Sequence, residues 1–183
     1  MNNRIERVIV AIEALSEKER AELKSQLARF SWWTDEGLPC TVRANRASAR
    51  ADFVLVFDGG SRGNPGPGYG SFLIVRQSDG TEKRKPLRFG PEMTNNEAEY
   101  DTLIAALEEL RAWIAESGLD VANASVEVRG DSRLVLRQVG GQWRAKEARM
   151  AERRDRARAL LKGFGRFRLV EQPREESVRL LGH

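Results

Sequence analysis

Three acidic residues sit where acid is hard to explain by packing alone. Asp58 directly follows Phe53-Val54-Leu55-Val56-Phe57, a continuous apolar run with the residue types of a buried central strand. A carboxylate there gains nothing from burial and must be satisfied by some partner. Asp131 follows Gly130, between the short strand Ser125 to Arg129 and a short helix opening at Ser132. As a helix N-cap it would have an adequate structural role. Glu99 falls in the first turns of a long helix from Thr94 to Glu116. A negative charge near a helix N-terminus is favourable in its own right.

Taken together the three say more. Carboxylates at the ends of adjacent strands, joined by one from a helix crossing the sheet, converge at one edge. Clustered carboxylates repel each other unless protons or cations neutralise them. Hard oxygen ligands with almost no histidine suit Mg²⁺ or Mn²⁺, and the one histidine is His183. Two such ions ~3.5–4 Å apart cleave phosphodiesters, one activating water and the other stabilising the leaving oxygen.

The elements that must position these groups follow from periodicity. After the first strand comes a glycine–proline turn, Gly59 to Gly68. Tyr69 to Arg76 and Glu82 to Phe89 are two strands joined at Asp79-Gly80. The long helix carries the stripe Tyr100, Leu103, Ile104, Leu107, Leu110 and Ile114, and Gly118 ends it. Ser125 to Arg129 is a strand, and Ser132 to Val139 is a helix stopped by Gly140-Gly141. Ala145 to Lys162 is a basic helix, Arg166 to Gln172 a strand, and Arg174 opens a last short helix. The expected class is α/β: a five-stranded mixed sheet, three antiparallel leading strands and two further parallel ones, flanked by helices.

Ahead of this domain, residues 1–33 read as a helical hairpin. Ile5, Val8, Ile9, Ile12 and Leu15 form one stripe, and Leu23, Leu27 and Phe30 a second. Between them Ser16 and Glu19 have the spacing of a capping box. Two short helices bury little alone, so the hairpin is expected to pack on the main domain, dock a partner or mediate dimerisation. Residues 34–51 have no period and read as a linker, with Cys40 incidental to it. Trp32 and Trp33 read as packing anchors. The main domain is expected to span 52–183.

Composition excludes several classes. Apolar residues make up 40% of 183, enough for a sizeable core, and no run approaches the ~18 apolar residues of a membrane span. Residues 1–15 alternate charges with aliphatics, unlike a secretory signal, so the cytoplasm is the expected location. One cysteine cannot form an internal disulfide. Net charge is +4, yet Arg144 to Arg168 alone holds ten Lys/Arg against Glu147, Glu152 and Asp155, a local excess of seven. Such a concentration suits either a polyanionic partner or a solvated helix face.

The local motifs resemble one family. The run from Phe57 to Gly68, containing Asp58-Gly59-Gly60-Ser61 and Asn64-Pro65-Gly66, resembles the first-strand signature of ribonuclease H type 1 proteins. Thr94-Asn95-Asn96-Glu97-Ala98-Glu99-Tyr100 is similar to the family's helix motif, and Gly130-Asp131-Ser132 through Gln138 to its third motif. The resemblance covers Asp52 to the C-terminus, in order. It implies that Asp58, Glu99 and Asp131 are catalytic carboxylates holding two Mg²⁺ or Mn²⁺ ions. It further implies that Gly59, Gly60, Ser61, Asn64, Gly66, Asn95, Asn96, Trp143 and Lys146 contact substrate. The implied reaction is hydrolysis of the RNA strand of an RNA–DNA hybrid, leaving 3′-hydroxyl and 5′-phosphate ends. Double-stranded RNA is a further candidate substrate, and the 2′-hydroxyl is what tells RNA from DNA.

The resemblance also has gaps. The family's fourth carboxylate, eight residues after Pro173, falls here on Leu181, and the asparagine four residues earlier falls on Ser177. Three explanations stand. Three carboxylates suffice; or Glu175, Glu176 or His183 substitutes as a metal ligand; or the chain is a catalytically reduced module that binds hybrid or double-stranded RNA. A basic protrusion is absent as well, with only Gly140-Gly141-Gln142 between the two helices. The basic helix from Ala145 is the expected replacement for its electrostatic grip.

Overall fold

The computed structural model describes Leu15, Ser16, Glu19, Glu22 and residues 50–182. The chain divides into two units, Met1–Thr41 and Val42–His183. In the first, the capping box is formed: the Ser16 N–H donates to Glu19 Oε2 at 2.8 Å, and the Glu19 N–H to Ser16 Oγ at 3.4 Å. The rest of the expected hairpin, residues 34–49 of the linker with Cys40, and also Trp32, Trp33 and His183, lie outside the described residues.

The second unit is built on a five-stranded sheet. Its strands are β1 (Phe53–Ser61), β2 (Gly68–Arg76), β3 (Glu82–Arg88), β4 (Ser125–Gly130) and β5 (Arg166–Glu171). Their order is β3-β2-β1-β4-β5. The first three pair antiparallel, while β4 and β5 join parallel to β1. Four helices flank it: α1 (Asn95–Glu116), α2 (Arg133–Val139), α3 (Ala148–Lys162) and α4 (Arg174–Leu181). Among the described residues no helix is long and apolar enough to cross a membrane.

Strand alternation makes the core. Phe53, Leu55 and Phe57 of β1, Phe72 and Ile74 of β2, and Val126 and Val128 of β4 are buried on one face. The whole α1 stripe from Tyr100 to Ile114 is buried with them, as the period of 3.6 dictates. The opposite face is thinner. There Val56 and Leu73 form a small cluster closed by Leu181 of α4.

Helix ends follow local chemistry. Thr94 caps α1 in a full capping box with Glu97, which the sequence reading missed. Gly118, at φ 71°, ends it in the left-handed conformation that glycine tolerates. The β2–β3 hairpin closes through four residues, Gln77 to Gly80, with Arg76 donating to both Asp79 oxygens at 3.0 and 2.7 Å.

Two boundaries differ from expectation by more than one residue. β1 does not end at Asp58 but runs on to Ser61, because its antiparallel pairing with β2 continues through Gly59, Gly60 and Ser61. The basic helix begins at Ala148 rather than Ala145, leaving residues 144–146 without regular structure.

Candidate active site

Asp58 stands where two parallel strands part. β1 pairs with β4 only from Phe53 to Val56; beyond Arg129 the partner turns away through Gly130 to Asp131. Asp58 stays held by β2, opposite Ser71, and is 4% exposed. Both aspartates therefore sit at the divergence of β1 and β4, the kind of strand-end crevice in which α/β sheets place ligands.

Glu99 reaches the same place through two glycines. Gly59 and Gly70 face each other across the β1–β2 ladder. A Cβ on Gly59 would lie 2.5 Å from the Ala98 carbonyl oxygen and 2.7 Å from the Glu99 nitrogen. A Cβ on Gly70 would meet the buried Thr102 hydroxyl. The bare backbone at these positions lets the first turns of α1 press directly on the sheet.

Asp131 is not the cap of α2. That role belongs to Ser132, whose Oγ accepts from the Val135 N–H at 3.4 Å and donates to Glu99 Oε2. The ordinary structural explanation for Asp131 is thus removed. Its carboxylate is instead 3.5 Å from the Arg174 guanidinium at the start of α4, an approach that nothing in the sequence pattern signalled.

The electrostatics show Asp58 and Asp131 acting on Glu99, and Asp58 on Asp131. Burial, then the negative charges of Asp131 and Asp58, push the Glu99 carboxyl up to about 7, against the Ser132 hydrogen bond and the Arg174 charge. Burial and Asp58 also raise Asp131. Among the described residues no three carboxylate, histidine or cysteine groups stand close enough to form a ready-made metal cage. Glu99 is turned to Ser132 and Asp131 to Arg174. The donor set is all oxygen, anionic and short of positive charge, and so it fits a hard divalent cation.

The fourth-carboxylate position carries no ligand. Leu181 is 6% exposed, packed against Val56 and Leu73. Ser177 is fully buried and accepts from the Gln172 amide at 2.9 Å. Glu176 is turned to Arg179 at 2.6 Å. Glu175 is exposed. The remaining candidate ligand, His183, lies outside the described residues.

The residues expected to touch substrate fall into two groups. Around the glycine loop, the Ser61 N–H and hydroxyl both donate to Asn95 Oδ1, at 2.8 and 2.9 Å. The Asn95 N–H donates to Asn64 Oδ1 at 3.2 Å. The loop is thereby docked on the α1 N-terminus, with Asn64, Asn95 and Asn96 exposed. Gly60 lies under the Tyr69 ring. Gly66 uses both backbone groups in a bridge to Met93, at 2.9 and 2.8 Å. The second group lies between α2 and α3. Trp143 is 46% exposed, with the Arg133 guanidinium 5.9 Å from its ring centre. Lys146 is exposed beside it, with no acidic partner among the described residues.

The basic helix behaves differently from expectation. Arg149 reaches Glu97 at 3.2 Å, Arg153 reaches Asp101 at 2.8 Å, and Arg156 reaches Glu108 at 2.6 Å. Arg158 donates to the Val139 and Gln138 carbonyls at 2.9 and 3.0 Å. Four of its cations are therefore committed to fastening α3 onto α1 and α2. Three charges of the local excess of seven are answered by acids on the neighbouring helix α1.

Comparison with known proteins gives a separate line of evidence on the family. A family model described as "Reverse transcriptase-like" matches residues 56–178. The ribonuclease HI of Halobacterium salinarum is 41% identical over 123 residues, 67% of this chain and 57% of the relative. A bifunctional protein of Mycobacterium tuberculosis is 34% identical over 126 residues, 68% of this chain and 32% of the relative. The chain thus spans between about a third and a little over half of these relatives. The crystal structure of RNase H1 from Halobacterium salinarum superposes with a TM-score of 0.59 at 39% identity, covering 69% of this chain and 89% of that one. That of LC11-RNase H1 in complex with RNA/DNA hybrid gives 0.61 at 32% identity, with the same coverage.

Proposed function

The chain belongs to the ribonuclease H type 1 family, and from that premise we propose that it is a metal-dependent endonuclease cutting the RNA strand of RNA–DNA hybrids. The observation that carries the proposal is that Asp58 and Asp131 stand where β1 and β4 diverge, near enough to Glu99 that both aspartates raise its affinity for a proton. A site built to keep three acids together is a site that wants a cation.

In this reading the three carboxylates hold Mg²⁺ or Mn²⁺. The bound ions would supply a water of lowered pKa and a positive charge for the leaving 3′-oxygen. The rest falls to the chain. The exposed amides of Asn95 and Asn96 and the docked loop from Ser61 to Asn64 orient the RNA strand, with its 2′-hydroxyls, beside Asp58. Trp143 and Lys146 engage the other strand across the α2–α3 connection. Arg174 stands 3.5 Å from Asp131 and places a permanent positive charge at the rim, where a phosphate must enter. Ser132 fixes the Glu99 carboxylate by its hydroxyl.

The test is strand and product identity. Labelled RNA–DNA hybrid, double-stranded RNA and double-stranded DNA are offered in turn with Mg²⁺. The expected result is cutting of the hybrid's RNA strand alone, with 5′-phosphate and 3′-hydroxyl ends. Cutting of DNA, or 2′,3′-cyclic phosphate products, would sink the mechanism. A second reading has one observation behind it: Leu181 is locked in an apolar cluster, so the fourth ligand is missing. That reading is a hybrid-binding module without turnover, and it predicts tight binding with no product in either metal.

A further inference from the structure

The segment from Gly140 to Glu147 carries Trp143 and Lys146 and has no regular structure. Its position must therefore come from side chains and isolated backbone bonds. At its start, the Gln142 and Trp143 N–H groups donate to the Arg137 carbonyl at 2.9 and 3.1 Å. At its centre, the Gln138 amide donates to the Arg144 carbonyl at 3.3 Å. The other end of the same amide accepts from the Tyr100 hydroxyl at 2.7 Å.

Tyr100 is the neighbour of Glu99 on α1 and is fully buried; Gln138 is 7% exposed. Two hydrogen bonds thus run from the helix bearing the catalytic glutamate, through α2, to the residue after Trp143. The chemistry admits one orientation only. A backbone carbonyl can only accept, so the Gln138 NH₂ must face Arg144. Its oxygen must then face Tyr100, whose hydroxyl must donate. Burial holds that phenol in the protonated form. In a low-dielectric interior such a chain is stiff, and breaking either link leaves a buried polar group unpaired.

We propose that Gln138 is a positioning residue that sets the separation between the catalytic carboxylates and the Trp143–Lys146 grip on the far strand of the hybrid. The proposal rests on the nuclease reading above for its substrate, and on the hydrogen-bond path alone for its structural content. Gln138 touches neither strand. It acts through the loop, and so its loss weakens engagement of the duplex without altering the chemistry once the duplex is seated.

The experiment uses the full chain and four variants: Gln138→Met, Tyr100→Phe, Trp143→Ala and the Gln138→Met/Trp143→Ala double. Steady-state cleavage of a labelled hybrid is measured beside amide hydrogen exchange of the substrate-free protein. Gln138→Met is expected to raise KM about tenfold with kcat within about twofold, the size of coupling seen inside one hydrogen-bond network. Exchange is expected to accelerate across residues 141–147 and not elsewhere. In the Trp143→Ala background the same change adds nothing further to KM, since the contact it positions is gone. Tyr100→Phe removes one oxygen and keeps the core volume, so it remains a test where Gln138→Met does not fold. It gives a smaller rise of the same kind.

An unchanged KM, a full additive rise on Trp143→Ala, or exchange that accelerates throughout the domain would each overturn the proposal. If the parent cuts no hybrid, the nuclease reading fails by itself. The exchange data then decide the relay: acceleration confined to the loop upholds the coupling, and unchanged loop exchange ends it.

Discussion

Replacing Gly59 by alanine should uncouple the catalytic carboxylates more sharply than any change of a charged group nearby. The added Cβ would sit 2.5 Å from the Ala98 carbonyl oxygen, some 0.9 Å short of the 3.4 Å at which ordinary contact begins. The obstructing atoms are backbone, including the Glu99 nitrogen, so no side chain can swing aside. Nor is the helix free to slide. Its first turn is tied by the Thr94–Glu97 capping box, by Ser61 on Asn95 and by Arg149 on Glu97. Relief must come from lifting α1 off β1, which carries Glu99 away from Asp58 by close to the same distance. Overpacking of this kind costs ~1–3 kcal/mol. A misplacement of ~1 Å at a reacting centre costs ~10²-fold in rate. The assay pairs urea unfolding with cleavage of labelled hybrid by the folded fraction. Gly70→Ala is the control, because its clash is with the Thr102 side chain one turn further along. It should lose comparable stability and much less activity. Gly59→Ala protein with stability within ~0.5 kcal/mol of the parent and cleavage within about threefold would refute the seating argument.

Other perturbations have equally definite outcomes. In metal-free buffer the Glu99 carboxyl titrates at about 7, above its unfolded value of 4.5, so the folded state holds that proton more tightly. Its contribution favours folding below about pH 4.5 and is lost as pH rises through 7; Glu99→Gln should stabilise the metal-free protein at pH 8 by up to ~3 kcal/mol and leave pH 4 stability unchanged in urea titrations. Arg174→Ala removes the cation beside Asp131 and should cut cleavage at least about tenfold while unfolding midpoints hardly move, since an exposed pair adds little stability. Leu181→Ala opens the Val56–Leu73 cluster and should cost ~2–4 kcal/mol by urea denaturation without changing the metal dependence of cutting. Lys146→Ala should reduce the slope of log affinity against log salt by about one, whereas Arg156→Ala, whose charge is already met by Glu108, should leave that slope unchanged.

What the sequence revealed and what it hid divide along a physical line. Local periodicity placed the α1 stripe from Tyr100 to Ile114, and all of it is buried. The apolar run before Asp58, the hairpin strands and the later alternation were enough for a mixed sheet with the observed parallel and antiparallel pairs. The motifs around Asp58, Glu99 and Asp131 were legible because each is a short contiguous stretch. Pairings between distant segments were not. Arg149, Arg153 and Arg156 read as a free basic face until α1 supplied Glu97, Asp101 and Glu108. Arg174 gave no sign that the fold would set it against Asp131, 43 residues earlier. Asp131 also had the place of a helix cap, one residue before Ser132, and only the hydrogen bonds give that role to Ser132. Leu181 was visible as a missing carboxylate, but its part in a second small core depends on α4 folding back over β1 and β2.

The decisive measurement is cleavage of a labelled RNA–DNA hybrid by the parent chain, Glu99→Gln and Asp131→Asn, each with Mg²⁺, Mn²⁺ or EDTA. A carboxylate metal centre requires cutting by the parent in at least one metal, none in EDTA, and loss of at least about 10³-fold in both variants with hybrid binding retained. Cutting that survives EDTA or either substitution would contradict it, because the acids brought together where β1 and β4 diverge would then not be the catalytic centre.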